Sequence, residues 1–179
     1  MRRFAAGEVS AFEQLYRRYE LRVFRYLQRN VRNHALAEDL LQEIWFAVAR
    51  AAGAYHSEAR FRAWLFSIAH NRMIDALRST RTEVSLDLIA NQPAEHLESS
   101  FVAHVAGPHV AAVADEQLAA LLRALAELPH EQREAFLLQQ EADLSVAEIA
   151  AVTHCNPETA KSRLRYARVK LRELLREVA

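Results

Sequence analysis

Ser145-Val-Ala-Glu-Ile-Ala-Ala-Val-Thr-His-Cys-Asn-Pro-Glu-Thr-Ala-Lys-Ser-Arg-Leu164 is the stretch that decides the fold. Ser145 and Glu148 stand at the spacing of a capping box, in which each side chain takes an otherwise orphaned amide at a helix start. Asn156-Pro157 is a capping side chain followed by the residue best suited to the first helical position. Between the two starts, Thr153-His154-Cys155-Asn156 leaves room for a short turn only. A short helix, a short turn and a longer helix form the helix-turn-helix layout. On a wheel of ~100° per residue, the longer helix buries Ala160, Leu164, Ala167, Leu171, Leu174 and Val178. Thr159, Ser162, Arg163, Arg165, Tyr166 and Lys170 then point away from that seam, and Lys161 lies near its edge. Lys and Arg supply phosphate contacts, and Arg can read guanine bidentately in the major groove. A bundle helix with a solvated basic face would share this wheel, but the capped order favours DNA binding.

Upstream, Asp115 is a candidate cap for a helix carrying Leu118, Leu121, Leu122 and Leu125, and Pro129 suits the first turn of the next. These make a four-helix domain over 115–179. Toward the N-terminus, Phe12, Leu15, Tyr16, Tyr19, Val23, Phe24, Leu27 and Val31 repeat at helical spacing. Asn33 is positioned to cap a second helix and Gly53 to end it in a left-handed conformation. Ser57 is positioned to cap a third helix, running to about Ser79. Together they predict a helical domain over 1–80. Residues 81–114 read as a flexible linker, polar and acidic to Glu98 and apolar from Phe101 to Ala114. The apolar half is expected to dock the domains together in the free protein. Only 3 Gly and 4 Pro occur in 179 residues, far below the usual share of about 12%, which disfavours turn-rich β folds. The expected fold class is all-α: two small helical domains joined by a linker.

Two further faces stand out. On the second helix Leu36, Leu40, Leu41, Ile44 and Val48 face one way, while Asp39, Gln42, Glu43 and Phe46 occupy the opposite side. An aromatic ringed by polar groups suits a protein-binding hot spot; packing of Phe46 on a neighbouring helix is the alternative. On the third helix Arg60, Trp64, Ser67, Asn71, Asp75 and Arg78 share a narrow sector, opposite Phe61, Leu65, Ile68, Ala69 and Ala76. Cations, an amide and an aromatic on one face suit unstacked single-stranded bases. Trp64 sits at the sector's edge and fits the core equally well. Asp75 could serve to orient a neighbouring Arg.

The net charge is zero, but it is unevenly placed. Residues 1–80 carry 13 Lys/Arg and 8 Asp/Glu, residues 81–156 carry 3 and 12, and residues 157–179 carry 7 and 3. The segments therefore hold +5, −9 and +4. Two basic ends around an acidic middle suit a polyanion partner, or else solvated faces of uneven charge.

Ala37-Glu38-Asp39-Leu40-Leu41-Gln42-Glu43-Ile44-Trp45, then Phe61-Arg62-Ala63-Trp64-Leu65-Phe66-Ser67-Ile68-Ala69-His70-Asn71, resemble the first domain of small bacterial RNA polymerase sigma factors of the extracytoplasmic-function type. Asp75 and Arg78 extend that match. Leu128-Pro129, Ala147-Glu148-Ile149-Ala150 and Thr159-Ala160-Lys161-Ser162-Arg163-Leu164 resemble the second domain. The resemblance covers about 5–80 and 115–176. It implies a non-enzymatic protein that binds core RNA polymerase, directs it to promoters and helps open the DNA. It assigns Asp39, Gln42, Glu43 and Phe46 to core, on the β′ clamp helices. It assigns Arg60, Trp64, Asn71, Asp75, Arg78 and the 53–60 loop to the −10 element. The −35 element falls to Thr159, Lys161, Ser162, Arg163, Arg165 and Tyr166. Core polymerase, through its β′ and β subunits, and promoter DNA are the implied partners, with room for an anti-sigma factor. The helix-turn junction departs from the family's usual Leu-Gly-like pattern, and Ala160 stands where a larger aliphatic is common.

Other classes fit less well. No HExxH, GxSxG, Walker or dinucleotide motif occurs. One Cys excludes an internal disulfide and a Cys-based zinc site. His96, His104 and His109 lie in one segment but lack ligand spacing, so no metal or cofactor is expected. A plain helix-turn-helix regulator explains 115–179 but not the face on the third helix. The longest apolar run, Ile44–Ala49, is too short to span a membrane. No signal peptide is visible, and a cytoplasmic protein is expected.

Overall fold

The computed structural model describes residues 1–55, 60–84 and 108–176. Its elements are α-helices α1 (Arg2–Ala5), α2 (Val9–Val31), α3 (His34–Arg50), α4 (Phe61–Val84), α5 (Pro108–Ala126), α6 (His130–Ala142), α7 (Val146–Val152) and α8 (Pro157–Arg176), with a 3₁₀ turn at Ala52–Ala54. The described residues include no strand.

Local chemistry sets the boundaries. The Asn33 side chain accepts from the Leu36 amide at 3.1 Å and caps α3. Ser145 and Glu148 form the full capping box that starts α7. Asn156 Oδ1 accepts from the Thr159 amide at 2.7 Å and caps α8. Four expectations need correction. Gly53 is not left-handed; α3 ends at Ala51, whose φ is −86°, and the chain turns through the 3₁₀ segment. Pro129 is the cap of α6 rather than its first helical residue, because its ψ of 144° is extended. Asp115 does not stand at a helix start, since α5 already begins at Pro108. The third helix runs on to Val84 rather than ending near Ser79. Ser57, His96, His104, Val178 and the stretch from Phe101 to Gly107 lie outside the described residues, and so do the expectations placed on them.

The helix-turn junction closes without glycine. His154 takes φ 51°, and the Cys155 amide donates to the Ala150 carbonyl at 3.0 Å, the pattern that ends helices at a left-handed residue. Arg32 and Asp143 end α2 and α6 in the same conformation, at φ 57° and 52°.

Val23, Tyr26 and Leu27 of α2 pack with Leu40, Ile44 and Val48 of α3 and with Leu65, Phe66 and Met73 of α4. In the second unit Leu125, Leu137, Leu138, Ile149, Leu164 and Leu171 do the same across α5–α8. Each such side chain stabilises the fold by roughly 1.5–3 kcal/mol when fully buried. The two cores form one contiguous cluster, because α2 and α4 lie directly against α6 and α7. The helix α8 packs on α5, α6 and α7, leaving its outer face open.

Candidate functional site

The face on α3 is displayed to solvent. Asp39, Gln42, Glu43 and Phe46 are all exposed, and Phe46, a large aromatic, is 65% accessible. It does not pack on a neighbouring helix. The opposite face is anchored by Leu40, Ile44 and Val48, with Trp45 held between Phe12 and Tyr16 at ring distances of 5.7 and 5.0 Å. That anchoring presents Phe46 from a rigid element.

The sector on α4 divides. Asp75 and Arg78 are exposed and 4.0 Å apart. Trp64 is half-buried in an aromatic group, 5.1 Å from Tyr55 and 5.9 Å from Phe61, which fixes its ring beside the exposed surface. Arg60 and Asn71 face the second unit: Arg60 Nε is 3.8 Å from Glu148, and Asn71 Oδ1 is 3.4 Å from His154 Nε2.

On α8 Lys161, Ser162, Arg165, Tyr166 and Lys170 are exposed, as are Arg168 and Val169 beside them. The Arg165 guanidinium lies over the Tyr166 ring at 5.3 Å. Thr159 and Arg163 are half-buried rather than fully outward, so the open surface is narrower than the wheel suggests. Lys161 sits 3.8 Å from Glu158 on the exposed first turn.

Sequence reasoning missed a polar cluster where the two units meet. Glu134 of α6 is 3% exposed, yet it is a carboxylate. Its Oε1 accepts from the Tyr26 hydroxyl at 2.8 Å and lies 2.6 Å from His70 Nδ1; a carboxylate can only accept, so His70 presents Nδ1–H. Burial works to raise the Glu134 carboxyl, but His70, Tyr26 and His130 outweigh it and hold it below the ordinary value. Burial and the same carboxylate push the Tyr26 hydroxyl well up. Around this centre, Arg29 donates to Glu141 at 2.6 Å and Arg62 to Asp143 at 2.5 Å. The hydrogen bond and charge of Arg62 hold Asp143 below its usual range. These pairs lie 64–112 positions apart in sequence, beyond any periodicity; the uneven charge along the chain was their one signal.

The arrangement offers three surfaces. No described helix is long and apolar enough to cross a membrane. Residues 15–83 match the Sigma-70 region 2 family and residues 118–171 the Sigma-70 region 4 family. The chain is 39% identical to RNA polymerase sigma factor CarQ of Myxococcus xanthus, over 99% of this chain and 97% of CarQ. It is 31% identical to ECF RNA polymerase sigma factor SigM of Mycobacterium tuberculosis, over 95% and 80% of the two chains. Its structure is similar to that of sigma factor RpoE from Bartonella quintana, solved in complex with the anti-sigma factor NepR, with a TM-score of 0.76, 25% identity and coverage of 94% and 98%. With both family matches in order along a two-unit helical chain, the protein belongs to the sigma-70 family of RNA polymerase sigma factors and is of the extracytoplasmic-function type.

Proposed function

We propose that the three surfaces divide the work of promoter-specific initiation. The protein is a sigma factor that binds core RNA polymerase and directs it to promoters. Sigma factors are initiation factors without catalysis of their own, and this chain is read as non-enzymatic and as acting in the cytoplasm. The exposed α3 face of Asp39, Gln42, Glu43 and Phe46 docks on core. Arg60, Trp64, Asn71, Asp75 and Arg78 take the −10 element, and Thr159, Lys161, Ser162, Arg163, Arg165 and Tyr166 take the −35 element. The units that carry these roles are 1–80 and 115–179, with 81–114 between them. An anti-sigma factor is a further candidate partner, by likeness to RpoE, which was solved with one.

The observation that carries the division is Phe46: a 65% exposed aromatic among three exposed polar residues on a well-anchored helix. Such an anchor is costly to leave in water and suits burial under a partner. Separate measurements of core binding, single-stranded −10 binding and duplex −35 binding test the division. Substitutions in each face are expected to weaken their own measurement and spare the others; losses shared equally by all three would contradict it.

A further inference from the structure

Helix α2 keeps its charges on separate sides. Arg18, Arg22, Arg25 and Arg29 recur three and four residues apart, and with Arg32 at the helix end they fall within about 80° of its circumference. From Arg18 to Arg29 the row is about 16 Å long. Arg18, Arg22 and Arg32 are exposed, and Arg25 and Arg29 are half-buried. The carboxylates of the helix, Glu13 and Glu20, stand on the other side, where Arg17 and Tyr16 donate to them at 2.6 and 2.8 Å. Arg29 is paired with Glu141 at 2.6 Å. Arg18, Arg22, Arg25 and Arg32 form no salt bridge among the described residues. Like charges three and four apart on a helix repel each other, so the row weakens α2 unless an anion offsets it. A face kept for solubility alone is served better by mixed signs.

The row runs beside a group of aromatic rings. Tyr19, next to Arg18 in the chain, holds its ring 5.3 Å from Phe61 of α4, and Phe61 and Tyr55 flank Trp64 at 5.9 and 5.1 Å. All four rings are half-buried, so each keeps part of its surface in solvent. At the start of α4 the row meets two further cations: the charges of Arg62, Arg22 and Arg60 all reach the Asp143 carboxyl. A cationic track beside partly open rings is the arrangement that holds single-stranded nucleic acid, with the backbone on the cations and the bases on the rings. A duplex or an acidic peptide would use the charges and leave the rings idle.

We propose that the arginine row of α2 is a phosphate track for the melted promoter strand. It takes the sugar–phosphate backbone of the strand whose bases lie at α4, without regard to sequence, and Arg18 and Arg22 make the contacts nearest the rings. The proposal rests on the assignment of α4 to −10 DNA and extends that site onto a second helix.

The test uses the full chain carrying Arg18→Gln and Arg22→Gln together. Fluorescence anisotropy of a short labelled single-stranded oligonucleotide of mixed sequence is measured over a series of salt concentrations. Loss of two phosphate contacts is expected to weaken binding and to flatten the plot of log affinity against log salt by about 1.4. Arg50→Gln with Arg123→Gln removes the same charge from exposed positions on α3 and α5, and is expected to leave the slope nearly unchanged. Arg18→Lys with Arg22→Lys keeps the charge that phosphate needs, and is expected to keep the slope; this pair also preserves a test if the glutamine pair loses helix content. Affinity for core polymerase is expected to be the same in all four proteins. Run-off transcription with core polymerase tests the functional reading separately: if the unaltered protein starts nowhere while the glutamine pair still flattens the slope, that reading fails and the strand-binding row stands. An unaltered chain without affinity for the oligonucleotide overturns the proposal. So does an equal change of slope in the control pair, which would mean general charge only, or a loss in the lysine pair, which would mean a structural role. Weaker core binding with an unchanged slope overturns it in favour of a protein partner for the row.

Discussion

His70 Nδ1 lies 2.6 Å from Glu134 Oε1, and the two residues come from different units of the chain. The same oxygen accepts from Tyr26 at 2.8 Å. One buried carboxylate of α6 therefore ties down α2 and α4 together. Removing one partner from a buried charged cluster leaves the others without an acceptor, which is more costly than losing an ordinary contact.

Glu134→Ala is accordingly expected to destabilise the full chain by on the order of 3 kcal/mol, read by urea unfolding. Glu134→Gln keeps an acceptor oxygen and is expected to cost less. A loss below about 0.5 kcal/mol for the alanine variant, the range of ordinary surface changes, would show that the cluster does not hold the units together.

Acid should open the contact. Glu134, beside His70, His130, Tyr26 and Arg133, and Asp143, beside Arg62, Arg22 and Arg60, are both held below their ordinary values of 4.5 and 3.8. A depressed carboxyl contributes its stabilisation in full above its ordinary value and loses it as pH falls through its folded value. Stability and compactness are therefore expected to fall as pH drops below about 4.5 on this account. Scattering and thermal melting across that range check it, and a protein that becomes more stable there would contradict the placement of these groups.

Phe46→Ala with Asp39→Ala is expected to weaken binding to core polymerase while leaving the melting temperature nearly unchanged. Truncating an interface anchor commonly costs ~2 kcal/mol or more, over tenfold in affinity. Both residues are exposed and opposite the buried side of α3. Unchanged affinity, or a large fall in melting temperature, would each count against the assignment.

Arg163→Ala and Lys161→Ala are expected to act differently on duplex DNA. Arg163, half-buried in the N-terminal half of α8, is the residue proposed to read a base. Its loss should cost ~1–3 kcal/mol and relax preference at one position. Lys161, exposed on the first turn, should weaken binding to all sequences alike and lower the salt dependence by about one phosphate. Selection from a randomised duplex library by the full chain, at two salt concentrations, distinguishes them. If Lys161→Ala rewrites the preferred sequence and Arg163→Ala leaves it intact, the roles are inverted.

Helices and their starts were legible because they follow from neighbours in sequence. Asn33, Ser145 and Asn156 cap where their spacing places them, since a cap needs only an amide two or three residues on. The seam of Ala160, Leu164, Ala167 and Leu171 and the outward Phe46 followed from helical period alone. Gly53 misled because a permissive residue does not oblige the chain to turn there. His154, conversely, takes the left-handed position that a glycine would usually fill. The Glu134 cluster was out of reach because nothing local pairs an α6 carboxylate with Tyr26 and His70. The segment charges hinted that acidic and basic parts differ, not that they meet.

The most direct test of the central claim is run-off transcription on fragmented genomic DNA with purified core polymerase, with and without this protein. The account predicts discrete start sites that appear only when the protein is added, none from the protein alone, and fewer with the Phe46→Ala, Asp39→Ala variant. If saturating protein leaves core polymerase unable to start at any genomic site, the protein is not acting as a sigma factor and the account is wrong.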